Sequence, residues 1–273
     1  MSATLSWSTG TFPEDELEPA LRWADRIGVE AVEVSPRHAP AIRERFQRGE
    51  GWQNPARVRL ASLHAWTQAE GLAEVCPTAQ RLGVAVIVVH CPHERLTADF
   101  EGQAAQVREW TAWCRDHGLV LSVENSSRQP LEPFVHLFEA VPDLSLTLDV
   151  KHAYKPETLG LTYVDYLKPL GERVVNFHVS GVDRSRDELG DGTPPGRDHI
   201  DWAGLCAELL RRRYDGLITV ELSINRDLPP DQLAAAYADL PAPPGVERPS
   251  LSQRLSFYGI QFFRKQFAPL LAP

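Results

Sequence analysis

Cysteine is scarce in this sequence and never closely spaced. The four, Cys76, Cys91, Cys114 and Cys206, include no C-x-x-C pair, which argues against a cysteine zinc site or a thioredoxin-like motif. Three read as small core residues. Cys91, just past His90, reads as core or as lining a site. No run approaches the roughly 18 apolar residues of a membrane span, and the opening MSATLSWSTG lacks the basic and apolar regions of a secretory signal. Positive charge is in deficit, 28 Lys and Arg against 37 Asp and Glu, for a net charge of −9. That gives no global electrostatic reason to expect nucleic acid or an anionic membrane as partner. Neither G-x-G-x-x-G nor G-x-x-x-x-G-K-[ST] occurs, so no glycine-rich phosphate loop is indicated. The expected setting is soluble, reduced and cytoplasmic.

What the chain does have is a rhythm. Eight apolar runs, rich in Val, Leu and Ile, recur along its 273 residues: 5–10, 29–36, 58–66, 84–91, 119–126, 144–152, 173–181 and 216–223. Near-continuous apolar runs fit strands buried on both faces, hence a parallel sheet. Amphipathic stretches lie between them. Residues 14–27 place Leu17, Leu21, Ala24 and Ile27 on one stripe and stop at Gly28. RLGV at 81–84 and DHGLV at 116–120 repeat that helix–glycine–strand device. Further helices are expected at about 99–117, 132–140, 157–170, 201–213 and 250–268. Eight βα units predict an α/β fold, a (β/α)8 TIM barrel forming one domain over 1–273; a doubly wound open sheet is the alternative. Two long segments, 181–200 and the proline-rich 227–249, leave strands seven and eight and are expected at the catalytic face.

The strand ends carry the chemistry. Strand three ends near His64, four at His90, five at Glu124 and Asn125, six at Asp149 with His152 just beyond, seven at His178 and eight at Glu221. Six consecutive strands thus bring ionisable groups to one mouth. Any one of them alone has a bland reading as a hydrogen-bonded core residue. Two glutamates, an aspartate and several histidines converging would repel and desolvate one another, and a divalent cation relieves that cost. Two Glu, one Asp and one His make a mostly oxygen ligand set. It suits one Mn, Mg or Co ion, with Zn or Fe also compatible.

These residues, with D-x-x-H at 149–152, resemble the xylose-isomerase-like TIM-barrel superfamily, which includes sugar isomerases, ketose 3-epimerases, inosose dehydratase-like enzymes and endonuclease IV-type apurinic endonucleases. The resemblance spans nearly the whole chain. It implies that Glu124, Asp149, His178 and Glu221 hold the cation, and that Glu124 and Glu221 act as the acid–base pair. It further implies that His152 and Arg184, six residues past His178, contact substrate, with His64 and His90 lining the same mouth. The implied activity is a metal-dependent isomerase or epimerase acting on a sugar, sugar phosphate or cyclitol through an enediolate. A dehydratase or lyase starting from the same proton abstraction is the first alternative. A multi-zinc apurinic endonuclease is the second; its third metal needs an Asp-x-His pair after strand seven, where this chain offers Asp191-Gly-Thr193 and Asp198-His199-Ile-Asp201, neither of them Asp-x-His. A non-catalytic binder is the third, disfavoured by the intact acid–base pair. Trp66 is expected to wall the substrate, and Trp7 and Phe177 to pack or do the same. Lys151 and Lys155 read as solvated in preference to phosphate-binding. A homodimer is the assembly that analogy suggests.

Overall fold

The computed structural model describes residues 2–12, 16–65, 72–91, 99–127, 129–154, 161–182, 192–224 and 228–271. Its strands are β1 (Thr4–Ser8), β2 (Ala31–Val34), β3 (Arg59–Ala65), β4 (Val86–His90), β5 (Val120–Glu124), β6 (Ser145–Asp149), β7 (Val174–Val179) and β8 (Leu217–Val220). They close in chain order, with β1 hydrogen-bonded to β8 and every neighbouring pair parallel. All eight sequence runs become strands, so the (β/α)8 barrel is the fold observed.

Helices follow the strands: α1 (Leu17–Arg26), α2 (Ala39–Gln47), α3 (Leu72–Leu82), α4 (Phe100–Asp116), α5 (Leu131–Ala140), α6 (Val150–Ala153), α7 (Tyr163–Leu170), α8 (Trp202–Arg212), α9 (Pro230–Ala236) and α10 (Leu251–Gln266). The glycines after α1 and α3 do what the sequence implied. Gly28 and Gly83 take φ of 73° and 71°, a left-handed turn open to glycine at little cost, and each leads straight into an apolar strand. Two local features add to the sequence reading. Strand six stops at Asp149, because the Asp149 Oδ1 accepts from the His152 backbone N–H at 2.9 Å and opens the single-turn α6. His152 therefore sits on a helix. The segment expected as a loop at 227–249 also holds a short helix, α9, with proline at its first position, where a missing N–H costs nothing.

The barrel interior follows the period of two along each strand. Ala31, Ala61, Val86, Val88 and Leu217 form a small apolar cluster separate from the main core. Beyond them a polar set is paired internally: Ser122 Oγ and Thr147 Oγ1 are 2.7 Å apart, and Thr219 Oγ1 donates to Asn176 Oδ1 at 2.9 Å. Two ladders carry a one-residue slip. Ala61 is left over between β2 and β3, so that Glu33 pairs with Ser62. Val175 is left over between β6 and β7, so that Asp149 pairs with His178. Such bulges re-aim the side chains that follow.

Candidate metal centre

The groups at the mouth stand two residues past inward-facing partners: His64 past Ser62, Glu124 past Ser122, Asp149 past Thr147, His178 past Asn176 and Glu221 past Thr219. Strand period, with the slips in β3 and β7 setting its phase, therefore delivers five of them to one end of the barrel. His178, fully buried, is the hub. Its Nδ1 lies 3.1 Å from Glu124 Oε1 and 3.0 Å from Glu221 Oε2. One ligand atom from each of Glu124, Asp149, His178 and Glu221 falls within 4.8 Å of all the others. Glu124 and Asp149 are buried, and Glu221 is 27 % exposed.

His64 and His90 complete the rim. Their Nε2 atoms lie 3.3 and 3.2 Å from Glu124 Oε2, and the two rings are 4.9 Å apart. With Glu124 they form a second group of metal-ligating geometry. His152 Nε2 is 3.5 Å from Asp149 Oδ2. Trp66 and Arg184 lie outside the described residues, as does Lys155. Lys151 corrects its sequence reading: it is buried, with Nζ 3.9 Å from Asp149 Oδ2, so it compensates a carboxylate and does not stand in solvent. Trp7 and Phe177 are core residues, packed edge-on against Phe12 and Tyr214. Cys91 is buried in the main core.

Glu33 on β2 escaped the sequence reading. It is fully buried and reaches across the barrel interior to His178 Nε2 at 3.2 Å. Its Oε2 also accepts from Ser62 Oγ at 2.8 Å and Asn176 Nδ2 at 3.3 Å. It pairs with Ser62, one inward step before His64, so a survey of strand ends passes over it. The available signal was a carboxylate between Val32 and Val34 in a strand buried on both faces, where an unpartnered acid is too costly to persist.

Electrostatics tie the cluster together. Burial alone would raise the Glu33 and Glu124 carboxyls, but the charge and hydrogen bond of His178 overturn that and hold both far below the ordinary carboxylate value. Burial alone would lower His178, but Glu33, Glu221 and Glu124 outweigh it and raise the imidazole well above 6.5. Glu221 is lowered against both burial and the repulsion of Glu124, mainly through His178. Glu33 Oε1 and Glu124 Oε2 meet histidine nitrogens at 3.6 Å and at 3.2–3.3 Å, but outside hydrogen-bond geometry. Three convergent carboxylates and one imidazole, all but Glu221 buried, suit a divalent cation.

The loop after β7 has a different task. Asp198 Oδ1 and Oδ2 accept from Trp202 Nε1 at 3.0 and 3.2 Å, and Oδ1 also accepts from the Ile200 N–H at 3.0 Å. Asp201 caps α8 through Gly204 N–H at 2.8 Å. His199 is exposed. Asp198 and Asp201 are thus engaged in holding the loop and the helix, while Asp191 lies outside the described residues.

Residues 21–240 match the family model described as xylose isomerase-like TIM barrel, and the chain belongs to that family. No curated protein matches the sequence. Among solved structures, a D-psicose 3-epimerase with D-tagatose from Clostridium cellulolyticum H10 superposes with a TM-score of 0.70 at 14 % identity, covering 97 % of this chain and 99 % of that one. The IolI protein with a bound zinc atom gives 0.69 at 14 %, over 99 % and 100 %. The probable 3-DHS dehydratase AsbF of petrobactin synthesis in Bacillus anthracis gives 0.64 at 13 %, over 86 % and 97 %. At these identities the likeness is one of fold. Among the described residues no helix is long and apolar enough to cross a membrane.

Proposed function

We propose that the protein is a divalent-metal-dependent isomerase or epimerase of a sugar, sugar phosphate or cyclitol, with Glu124, Asp149, His178 and Glu221 as the metal ligands. The observation that carries this reading is the bracketing of His178 Nδ1 by Glu124 and Glu221 at 3.1 and 3.0 Å. Two carboxylates from β5 and the end of β8 thereby share one centre with Asp149. A cation held there supplies the positive charge that stabilises an enediolate as it forms from a ketone and its neighbouring hydroxyl.

The chain's own residues move the protons. Glu221, the more exposed carboxylate, takes or returns the proton at the carbon beside the carbonyl, and Glu124 handles the partner step from below. His64, His90 and His152 bound the space over the carboxylates. Arg184 and Trp66 complete substrate binding in this reading. The 3-epimerase and IolI folds among the structural relatives support it, and an ion of Mn, Mg or Co is the expected occupant.

A dehydratase is the second reading, favoured by the AsbF likeness, since β-elimination begins with the same proton abstraction. One experiment addresses both. Purified protein, loaded with Mn, Co or Mg and analysed for metal content, is incubated in D2O with a panel of keto-sugars and keto-cyclitols. Deuterium entering beside the ketone with the mass otherwise kept supports the isomerase or epimerase; loss of water supports the dehydratase. Metal-loaded protein that exchanges no proton on any member overturns the enediolate reading, and a chain that binds no divalent cation overturns its foundation.

A further inference from the structure

We infer that Glu33 is a positioning residue of the metal centre: it holds the N–H of His178 Nε2 so that Nδ1 presents its lone pair to the cation. The inference rests on the metal reading above and deepens it. Glu33 Oε2 receives Ser62 Oγ at 2.8 Å and Asn176 Nδ2 at 3.3 Å. The amide of Asn176 is itself oriented, because its Oδ1 accepts from Thr219 Oγ1 at 2.9 Å. An oxygen already receiving two hydrogens is an acceptor. The third group on it, His178 Nε2 at 3.2 Å, must therefore bring a hydrogen as well, since a bare nitrogen there would set lone pair against lone pair. The hydrogen on Nε2 is then fixed by Glu33, whereas the hydrogen that Nδ1 turns toward Glu124 and Glu221 in the metal-free protein is the one a cation would replace. A carboxylate behind a ligating imidazole fixes both its tautomer and its ring plane and raises its basicity.

The support is rigid. Glu33 and His178 are both fully buried, on strands separated by β1 and β8, so the contact spans the barrel interior. Oε1 of the same carboxylate lies 3.6 Å from His64 Nδ1. One buried acid thus underlies His64 and His178, two of the three imidazoles that face Glu124, while Asp149, Glu124 and Glu221 remain directed at the shared centre.

The test uses two readouts other than turnover. First, in the Zn-loaded wild-type protein with 15N-labelled histidine, long-range 15N–1H correlation is expected to show His178 protonated on Nε2 and unprotonated on Nδ1; the reverse tautomer overturns the inference. Second, Zn affinity is compared by calorimetry for wild type, Glu33→Gln and Glu33→Asp, beside the thermal melting of each metal-free protein. Glu33→Gln is expected to bind Zn about 10- to 100-fold more weakly, with Glu33→Asp recovering part of the loss. A Glu33→Gln protein that melts lower but binds Zn as wild type does shows a purely structural role and overturns the inference while the metal reading stands. If wild type binds no divalent cation, Zn, Mn, Co and Mg each being tried, both fall. The tautomer measurement needs no variant and decides the matter even if Glu33→Gln fails to fold.

Discussion

Asn125 holds the backbone of Asp149 from both sides. Its Nδ2 donates to the Asp149 carbonyl at 3.0 Å and its Oδ1 accepts from the Asp149 N–H at 2.7 Å. A side chain from the end of β5 thereby ties Asp149 to the strand that carries Glu124. Asn125→Ala leaves a buried N–H and C=O unpaired, at a cost of about 1–3 kcal/mol each before relaxation. The expected outcome is a lower midpoint in urea together with weaker metal binding. A variant with wild-type stability would contradict the geometry described.

Glu221→Gln separates ligation from proton transfer. The amide keeps an oxygen that can face the cation but cannot act as a base. Proton exchange into substrate in D2O should fall by about 10²–10⁴-fold, more than the metal occupancy measured on the same sample. Equal losses in occupancy and exchange would leave Glu221 a ligand only.

In the proposed metal site, protons and metal would compete for His178. A histidine raised above 6.5 adds stability that is complete below that value and is lost as pH rises through its folded value; a glutamate lowered below 4.5 adds stability present above that value and lost as pH falls through its own. In metal-free protein this cluster is therefore most stabilising between 4.5 and 6.5. Cation binding at Nδ1 releases the proton, so metal affinity should rise with pH. Melting curves of chelator-treated protein, beside Mn titrations at several pH values, check both signs; Mn binding that weakens with rising pH would exclude His178 as a ligand.

Asp198→Ala removes an acceptor used by Trp202, Ile200 and Gly196. It should destabilise by about 1–3 kcal/mol and leave the metal content per chain unchanged. A drop in metal content would reopen the several-zinc reading.

The barrel was legible because its signal is local. Near-continuous Val, Leu and Ile runs, each introduced by a helix stop such as Gly28 or Gly83, specify strand, turn and spacing within one βα unit. The mouth was legible for a related reason: Glu124, Asp149, His178 and Glu221 each end an apolar run, and closure of a parallel barrel brings such ends together. Glu33 was not, because its partners His178 and Asn176 are on β7, far away in sequence, and nothing within β2 announces them. Lys151 misled for the complementary reason. Beside His152 it looks exposed, and only the turn made by α6 brings its ammonium to Asp149.

The slip between β6 and β7 makes this centre a matter of phase. β7 reads V-V-N-F-H-V, and Val175 is passed over in the ladder. Were the pairing regular from Leu146 onward, Phe177 would stand opposite Asp149 and His178 would turn out toward the helices. The same holds on the other side of the mouth, where passing over Ala61 sets Glu33 against Ser62 and turns His64 inward. Composition supplies the candidate ligands, but the count of residues along two strands decides which of them the barrel admits. An insertion between Val175 and His178 that altered no ligand would have to be absorbed by a compensating slip, or it would exchange an imidazole for a benzene ring at the heart of the site.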